Sequence, residues 1–232
     1  MIFSKKQVNC DQNLSLVLNN EVLEQVKCTK FLGLYIDQKL TWEEHTKFVR
    51  GKISSGIYAM NMSKHVLSPN HLKQLYYSLV HPYLIYGNLL WGNTYQKHTK
   101  CLEVLQNKAL HIINKSNYNE SATPIFAKEN MLKLPHIHEH LVGTFMFKYV
   151  KGKLPIQLQN IFTFQHNIHQ HNTRHAYDLR PPKVNTDLMK RSFLFYGPKL
   201  WMNLEECIKM STSETMFKNK MKYHLIENYE TM

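Results

Sequence analysis

The sequence predicts an α+β fold: a small antiparallel sheet at the N-terminus followed by a mostly α-helical remainder. Three observations carry that reading. The first forty residues alternate apolar and polar side chains around turn signals. After Asp37 the apolar spacing lengthens to three and four residues, the period of a helix. The 232-residue chain is 43% hydrophobic and 20% charged, enough to bury a core and unlike a disordered segment.

Taken in order, Met1 to Lys5 reads as a short strand. Leu14 to Leu18 and Val22 to Val26 flank Asn19-Asn20, and because asparagine tolerates positive φ this is a hairpin signal. Phe31 to Ile36 reads as a further strand, with Gly33 inside it marking a bulge or the close approach of another backbone. Thr41 is placed as the N-cap of the first helix, with Glu43 and Glu44 in the first turn where the helix dipole favours negative charge. The apolar stripe of that helix is Trp42, Val49, Ile53, Gly56, Ile57 and Met60, mostly at three- and four-residue spacings. A second helix opens at Ser68-Pro69 and is broken or kinked by Pro82; Tyr83 to Trp91 then continues to a stop at Gly92. A third, Lys97 to Asn114, sets Leu102, Leu105, Ala109 and Ile112 on one face.

Beyond this, Thr123-Pro124 opens a short helix, and Pro135 opens a longer one through Leu141, Phe145 and Tyr149. Residues 162–187 read as a long His-rich loop, and Ser192 to Trp201 is open between strand and helix. Ser213 caps a last helix with Phe217, Met221 and Leu225 inward. The organisation expected is 1–40 strands, 41–118 a helical unit and 119–232 a second, mostly helical unit.

The net charge of +12, from 29 Lys and Arg against 17 Asp and Glu, favours a polyanionic partner. No acidic residue falls between Glu44 and Glu103, a stretch that carries Lys47, Arg50, Lys52, Lys64, Lys73, Lys97 and Lys100. Without opposing carboxylates these cations are expected to be free for phosphate contact. Lys47, Arg50, Lys52, Lys73 and, further on, Arg174 are the nucleic-acid-binding candidates. Tyr76, Tyr77, Tyr83, Tyr86 and Trp91 interleave with them, either stacking on bases or packing as core.

Other chemistries find little support. No apolar run approaches the roughly eighteen residues of a membrane span, and the N-terminus has no signal-peptide core, so membrane partners and secretion are not expected. An intracellular compartment, nuclear or cytoplasmic, is. Cys10, Cys28, Cys101 and Cys207 make no CxxC pair. His136, His138 and His140 alternate by two, so on a helix only His136 and His140 share a face. His166, His169, His171 and His175 crowd the loop without a cysteine nearby. No metal site and no catalytic residue is assigned. Glu43-Glu44 and Glu205-Glu206 are adjacent pairs that cannot oppose each other as acid and base.

Three blocks in order carry a resemblance that covers nearly the whole chain. They are Phe31-Leu32-Gly33 with Leu40-Thr41-Trp42 and His45; His81-Pro82-Tyr83-Leu84 with Tyr86-Gly87-Asn88 and Trp91-Gly92; and Asn172-Thr173-Arg174 with Phe193, Gly197-Pro198 and Leu200-Trp201. Together they resemble the reverse transcriptases of jockey- and LINE-like non-LTR retrotransposons. The resemblance implies that 1–40 is the end of the polymerase palm, with Phe31, Leu32 and Gly33 on a strand that helps to hold the primer end. It implies that 41–118 is the thumb and the remainder the region after it. Where the family has a proline soon after the tryptophan, Glu205 stands here.

The family's activity is RNA-templated DNA synthesis with Mg²⁺ held by carboxylates that, by the resemblance, precede residue 1. The chain alone is therefore expected to be inactive, to hold no cofactor, and to retain binding of RNA or an RNA–DNA hybrid. The fingers and most of the palm are expected upstream if the product is longer. Asp37 has no second Asp nearby and is not expected to bind metal. A decayed remnant or a helical protein-interaction module is the alternative.

Overall fold

The computed structural model describes residues 16–164 and 179–229. The proposed strand at Met1 to Lys5, Cys10, the loop histidines 166–175 and Arg174 lie outside them.

Sequence-local turn chemistry builds two hairpins. β1 (Leu16–Leu18) pairs antiparallel with β2 (Glu21–Leu23), and Asn19 and Asn20 at the turn have φ of 51° and 65°. Two consecutive positive φ values are the signature of the turn whose twist matches paired strands. The stretch Phe31 to Ile36 is not one strand. β3 (Cys28–Phe31) and β4 (Leu34–Asp37) form a second hairpin, and Leu32 (φ 46°) and Gly33 (φ 82°) are its turn. Gly33 thus supplies a reversal of direction instead of a bulge, and Phe31, Leu32 and Gly33 form a hairpin tip.

The link to the helices is organised by Asp37. Its carboxylate accepts from the backbone N–H of Lys39 (3.0 Å), Thr41 (3.0 Å) and Trp42 (2.8 Å), and from the Thr41 hydroxyl (3.2 Å). Those bonds hold Leu40 and Trp42 at positive φ, and α1 (Glu43–Ser63) starts behind Trp42. Thr41 is therefore not the N-cap; its hydroxyl accepts only a long 3.4 Å bond from Glu43 N–H.

The helix periodicities hold. α1 buries Val49, Ile53, Gly56, Ile57 and Met60. α2 (Pro69–Leu79) is capped by the Ser68 hydroxyl and crosses α1 at Gly56, where a Cβ would lie 2.9 Å from the Leu79 carbonyl oxygen. Pro82 sits at the start of α3 (His81–Ile85), so the break falls at Val80. The segment after Pro82 does not run on to Trp91: Gly87 (φ 61°) interrupts it, and α4 (Asn88–Trp91) follows. α5 (Gln96–Asn114) lies along α1 and completes the first core around Tyr76, Trp91, Leu102 and Ile113.

α6 (Thr123–Lys128) begins behind Ala122, with Pro124 in its first turn. α7 (Leu134–Val150) joins two cores. Leu134 and Ile137 belong to the first; Val142, Met146 and Phe147 belong to a second with Trp201, Phe217 and Met221. The long segment 162–187 is not wholly irregular, because β5 (Thr163–Phe164) pairs with β6 (Leu179–Arg180) and pinches its base. α8 (Asp187–Arg191) leads into α9 (Phe193–Asn203), which settles the ambiguous stretch as helix, capped by Ser192 and carrying Pro198 inside it. α10 (Glu206–Lys209) and α11 (Glu214–Glu227) close the chain, α11 capped by Ser213 and burying Phe217, Met221 and Leu225. Behind it, Tyr229 returns to the first core and accepts from Lys133 N–H (3.0 Å). The architecture is a small N-terminal antiparallel sheet region followed by helices, α+β.

Candidate nucleic-acid interface

The β3–β4 hairpin is fastened to the helices at both ends. At its base Leu34 is buried in the first core, and Tyr35 packs on Phe48 of α1 with ring centroids 5.2 Å apart. At its tip the Tyr86 hydroxyl donates to the Leu32 carbonyl, and Trp91 Nε1–H holds the Tyr86 carbonyl at 2.8 Å. Phe31 and Leu32 are left exposed at 61% and 74%. Two cations flank the Phe48 ring: Lys30 Nζ at 5.7 Å and Lys52 Nζ at 5.6 Å from its centroid. Hairpin, α1 and α3 together border a concavity of about 410 Å³ lined by Lys30, Gly33, His45, Phe48, Tyr83 and Tyr86.

His45 forms the floor. It is 2% exposed, and burial pulls its pKa down to about 4, so the ring is neutral near pH 7. Its Nδ1 accepts a long 3.5 Å bond from Tyr35 N–H, which puts the proton on Nε2, an atom buried without a partner.

The expected phosphate contacts fall into different situations. Arg50, Lys52 and Lys97 are exposed and Lys64 is half-buried; among the described residues none of the four has a carboxylate partner. The expectation that the cations of this stretch are all free of carboxylates is corrected by four ion pairs, made by three lysines. Lys47 reaches Glu43 (2.9 Å) and Glu44 (2.8 Å), and Lys100 reaches Glu103 (3.6 Å). Lys73 is bound to Glu129, donating to the carboxylate (2.9 Å) and the backbone oxygen (2.7 Å). Glu129 is distant in sequence, so the charge gap in the sequence is filled in space. Lys52 therefore joins Phe31, Leu32 and Gly33 beside one concavity, whereas Lys73 lies on another helix. Lys30 is the member that sequence reading missed. Its place opposite Tyr35 in the hairpin register would have marked it, had the turn at Leu32-Gly33 been recognised.

The interleaved aromatics divide by burial. Tyr76 and Trp91 are core; Tyr77 and Tyr86 are exposed at 41% and 55%. Tyr76 is held by Gln106, whose amide donates to the Tyr76 hydroxyl (3.0 Å) and the Leu132 carbonyl (2.9 Å).

His136, His138 and His140 take separate partners. They reach the Tyr229 hydroxyl (2.7 Å), Asn88 (3.0 Å to its side-chain oxygen) and the Lys218 carbonyl (3.0 Å). Among the described residues no group of three or more His, Cys, Asp or Glu is arranged to hold a metal ion. The residues here do not fit the Mg²⁺ of the polymerase resemblance. The one Asp at the junction, Asp37, already accepts four hydrogen bonds and has no carboxylate opposite it. Among the described residues no helix is long and apolar enough to cross a membrane.

No protein-family model matches the chain, and no solved structure does. Among curated proteins, the chain is 27% identical over 92 residues, 38% of its length, to a "Probable RNA-directed DNA polymerase from transposon X-element" of Drosophila melanogaster. It is 24% identical over 117 residues, 49% of its length, to a "Probable RNA-directed DNA polymerase from transposon BS". Over 127 residues, 53% of its length, it is 25% identical to the "RNA-directed DNA polymerase from mobile element jockey"; both are also from Drosophila melanogaster. The matched stretches are 10%, 13% and 14% of those proteins' own lengths. The chain thus has a distant, partial sequence similarity to transposon-associated reverse transcriptases.

Proposed function

We propose that this chain is the palm-end, thumb and post-thumb portion of a retrotransposon reverse transcriptase, and that it binds an RNA–DNA template–primer. The observation that carries the reading is the β3–β4 tip: an exposed apolar turn held by Tyr86 beside two cations, Lys30 and Lys52, that have no carboxylate partner among the described residues. Cations without carboxylate partners can exchange condensed counterions for phosphate contacts, and exposed rings offer stacking surfaces for bases. Arg50 extends the cationic face along α1. Lys47 and Lys73 contribute less, because each already has a carboxylate. Residues 1–40, 41–118 and 119–232 serve as palm end, thumb and post-thumb unit. By this reading these residues position nucleic acid.

The test is hybrid binding by the double variant Lys30→Glu with Lys52→Glu, measured across a salt series. Each lost phosphate contact lowers the slope of log affinity against log salt by about 0.9. A drop of at least tenfold in affinity with a shallower slope is expected; an unchanged slope rejects the interface. A protein-interaction module remains the second reading, favoured by the β1–β2 hairpin, where Leu16, Val17, Leu18, Val22 and Leu23 are all exposed. Absence of salt-dependent hybrid binding by the unaltered chain would favour it.

A further inference from the structure

A cleft of about 210 Å³ lies on the described surface where three chain segments meet: the Leu40–Trp42 link, the turn at Asn93–Tyr95, and the α8–α9 junction. The segments are tied to one another. The Thr94 hydroxyl donates to the Thr41 carbonyl (2.7 Å), and the Asn93 side chain donates to the Arg191 carbonyl (3.1 Å). Trp42, Leu188 and Phe193 give the cleft apolar walls. Into this setting the fold puts a cation. The central carbon of the Arg191 guanidinium lies over the Tyr95 ring, 3.8 Å from its centroid, and its Nε is buried without an acceptor. Among the described residues Arg191 has no carboxylate partner.

A buried guanidinium N–H without an acceptor is costly unless an anion answers it. Stacking on Tyr95 consumes the face of the guanidinium and leaves its edge, with its fork of N–H donors, for a ligand. Lys97 Nζ lies 5.8 Å from the centroid of the same ring, adding positive charge at the rim. Glu43, the nearby acid, is committed to Lys47 at 2.9 Å. The ligand that fits is an anion carrying a flat apolar body of limited size.

We propose that this cleft binds a single unpaired nucleotide, its phosphate on the Arg191 edge and its base between the aromatic walls. The proposal rests on the nucleic-acid reading above and adds a second contact: the hairpin face takes the duplex, and the Arg191 cleft takes a nucleotide outside it. The choice of nucleotide over an acidic peptide follows from the aromatic walls and the cationic rim, which suit base and phosphate together.

Adenosine 5′-monophosphate, titrated into the 232-residue chain, is the probe, read by quenching of tryptophan fluorescence. Saturable quenching is expected, at least tenfold weaker with adenosine and lost in Trp42→Phe. Arg191→Met, which keeps an apolar cover on Tyr95, should weaken binding at least tenfold while the thermal midpoint and blunt hybrid binding stay as they were. Arg191→Lys should weaken it as well, since an ammonium cannot present a fork. No quenching by the monophosphate, or N-acetyl-phenylalanine binding more tightly than it, overturns the proposal. Should Lys30→Glu with Lys52→Glu leave hybrid binding intact while the monophosphate binds as expected, the hairpin interface fails and the cleft stands.

Discussion

The two N-terminal hairpins are built alike and used differently. Each has a two-residue turn with both residues at positive φ, Asn19-Asn20 in one and Leu32-Gly33 in the other. β1–β2 keeps its apolar side chains in solvent, Val22 at 70% exposure, whereas β3–β4 sinks Leu34 into the first core and is fastened at its tip by Tyr86. Turn chemistry is enough to make a hairpin. What fixes one to the helices is a buried anchor and a hydrogen bond from another element, and among the described residues β3–β4 has both.

The sharpest way to break this difference is to cut the anchors. Leu34→Ala should cost about 2–3 kcal/mol, because it leaves a void against the α1 core, while Val22→Ala should stay within about 0.5 kcal/mol. Urea unfolding of the two variants compares them directly; equal losses would mean that β1–β2 is anchored too.

Acid should reach the anchored hairpin first. Burial lowers the folded-state pKa of His45 to about 4, below its ordinary 6.5. The stability from neutral His45 is therefore fully present above about pH 6.5 and is lost as pH falls towards 4, a loss on the order of 2 kcal/mol. His138, also held near 4 by burial, adds a loss in the same window. The protection of the Tyr35 amide, corrected for the slowing of intrinsic exchange in acid, should fall between pH 6.5 and 4.5 more than that of Val22. His45→Gln should flatten that part of the profile, and an unchanged profile would place the acid response elsewhere.

The smallest effect belongs to the tip. Tyr86→Phe removes one partly exposed hydrogen bond to Leu32, worth about 0.5–1 kcal/mol. Its signature is local: Leu32 and Gly33 amides exchange faster while the thermal midpoint moves by a few degrees at most. A midpoint shift as large as that of Leu34→Ala would show that the tip, not the base, holds the hairpin.

Much of this was legible in the sequence where the cause is local. Asn19-Asn20 gives its hairpin because asparagine accepts positive φ, and Ser68-Pro69 opens α2 because a hydroxyl and a pre-set φ both suit a first turn. Ser213 and the spacing of Phe217, Met221 and Leu225 define α11 in the same way. Leu32 misled the reading, since a leucine at positive φ is disfavoured and is tolerated here only because Tyr86 and the docked strand hold it. Asp37 displaced Thr41 as organiser of the helix start because a carboxylate can accept several backbone N–H bonds at once.

By itself, then, the sequence determined the order of elements, the stripes that face the cores, and a cationic surplus suited to nucleic acid, because these depend on neighbours a few positions away. The tertiary structure alone decided which cations remain unpaired. Glu129 claims Lys73 across the fold, while Lys30 and Lys52 are left together at Phe48 and Arg191 lies on Tyr95 with no carboxylate partner among the described residues. Charge pairing acts through space, so a stretch free of acids in sequence need not be free of them once folded.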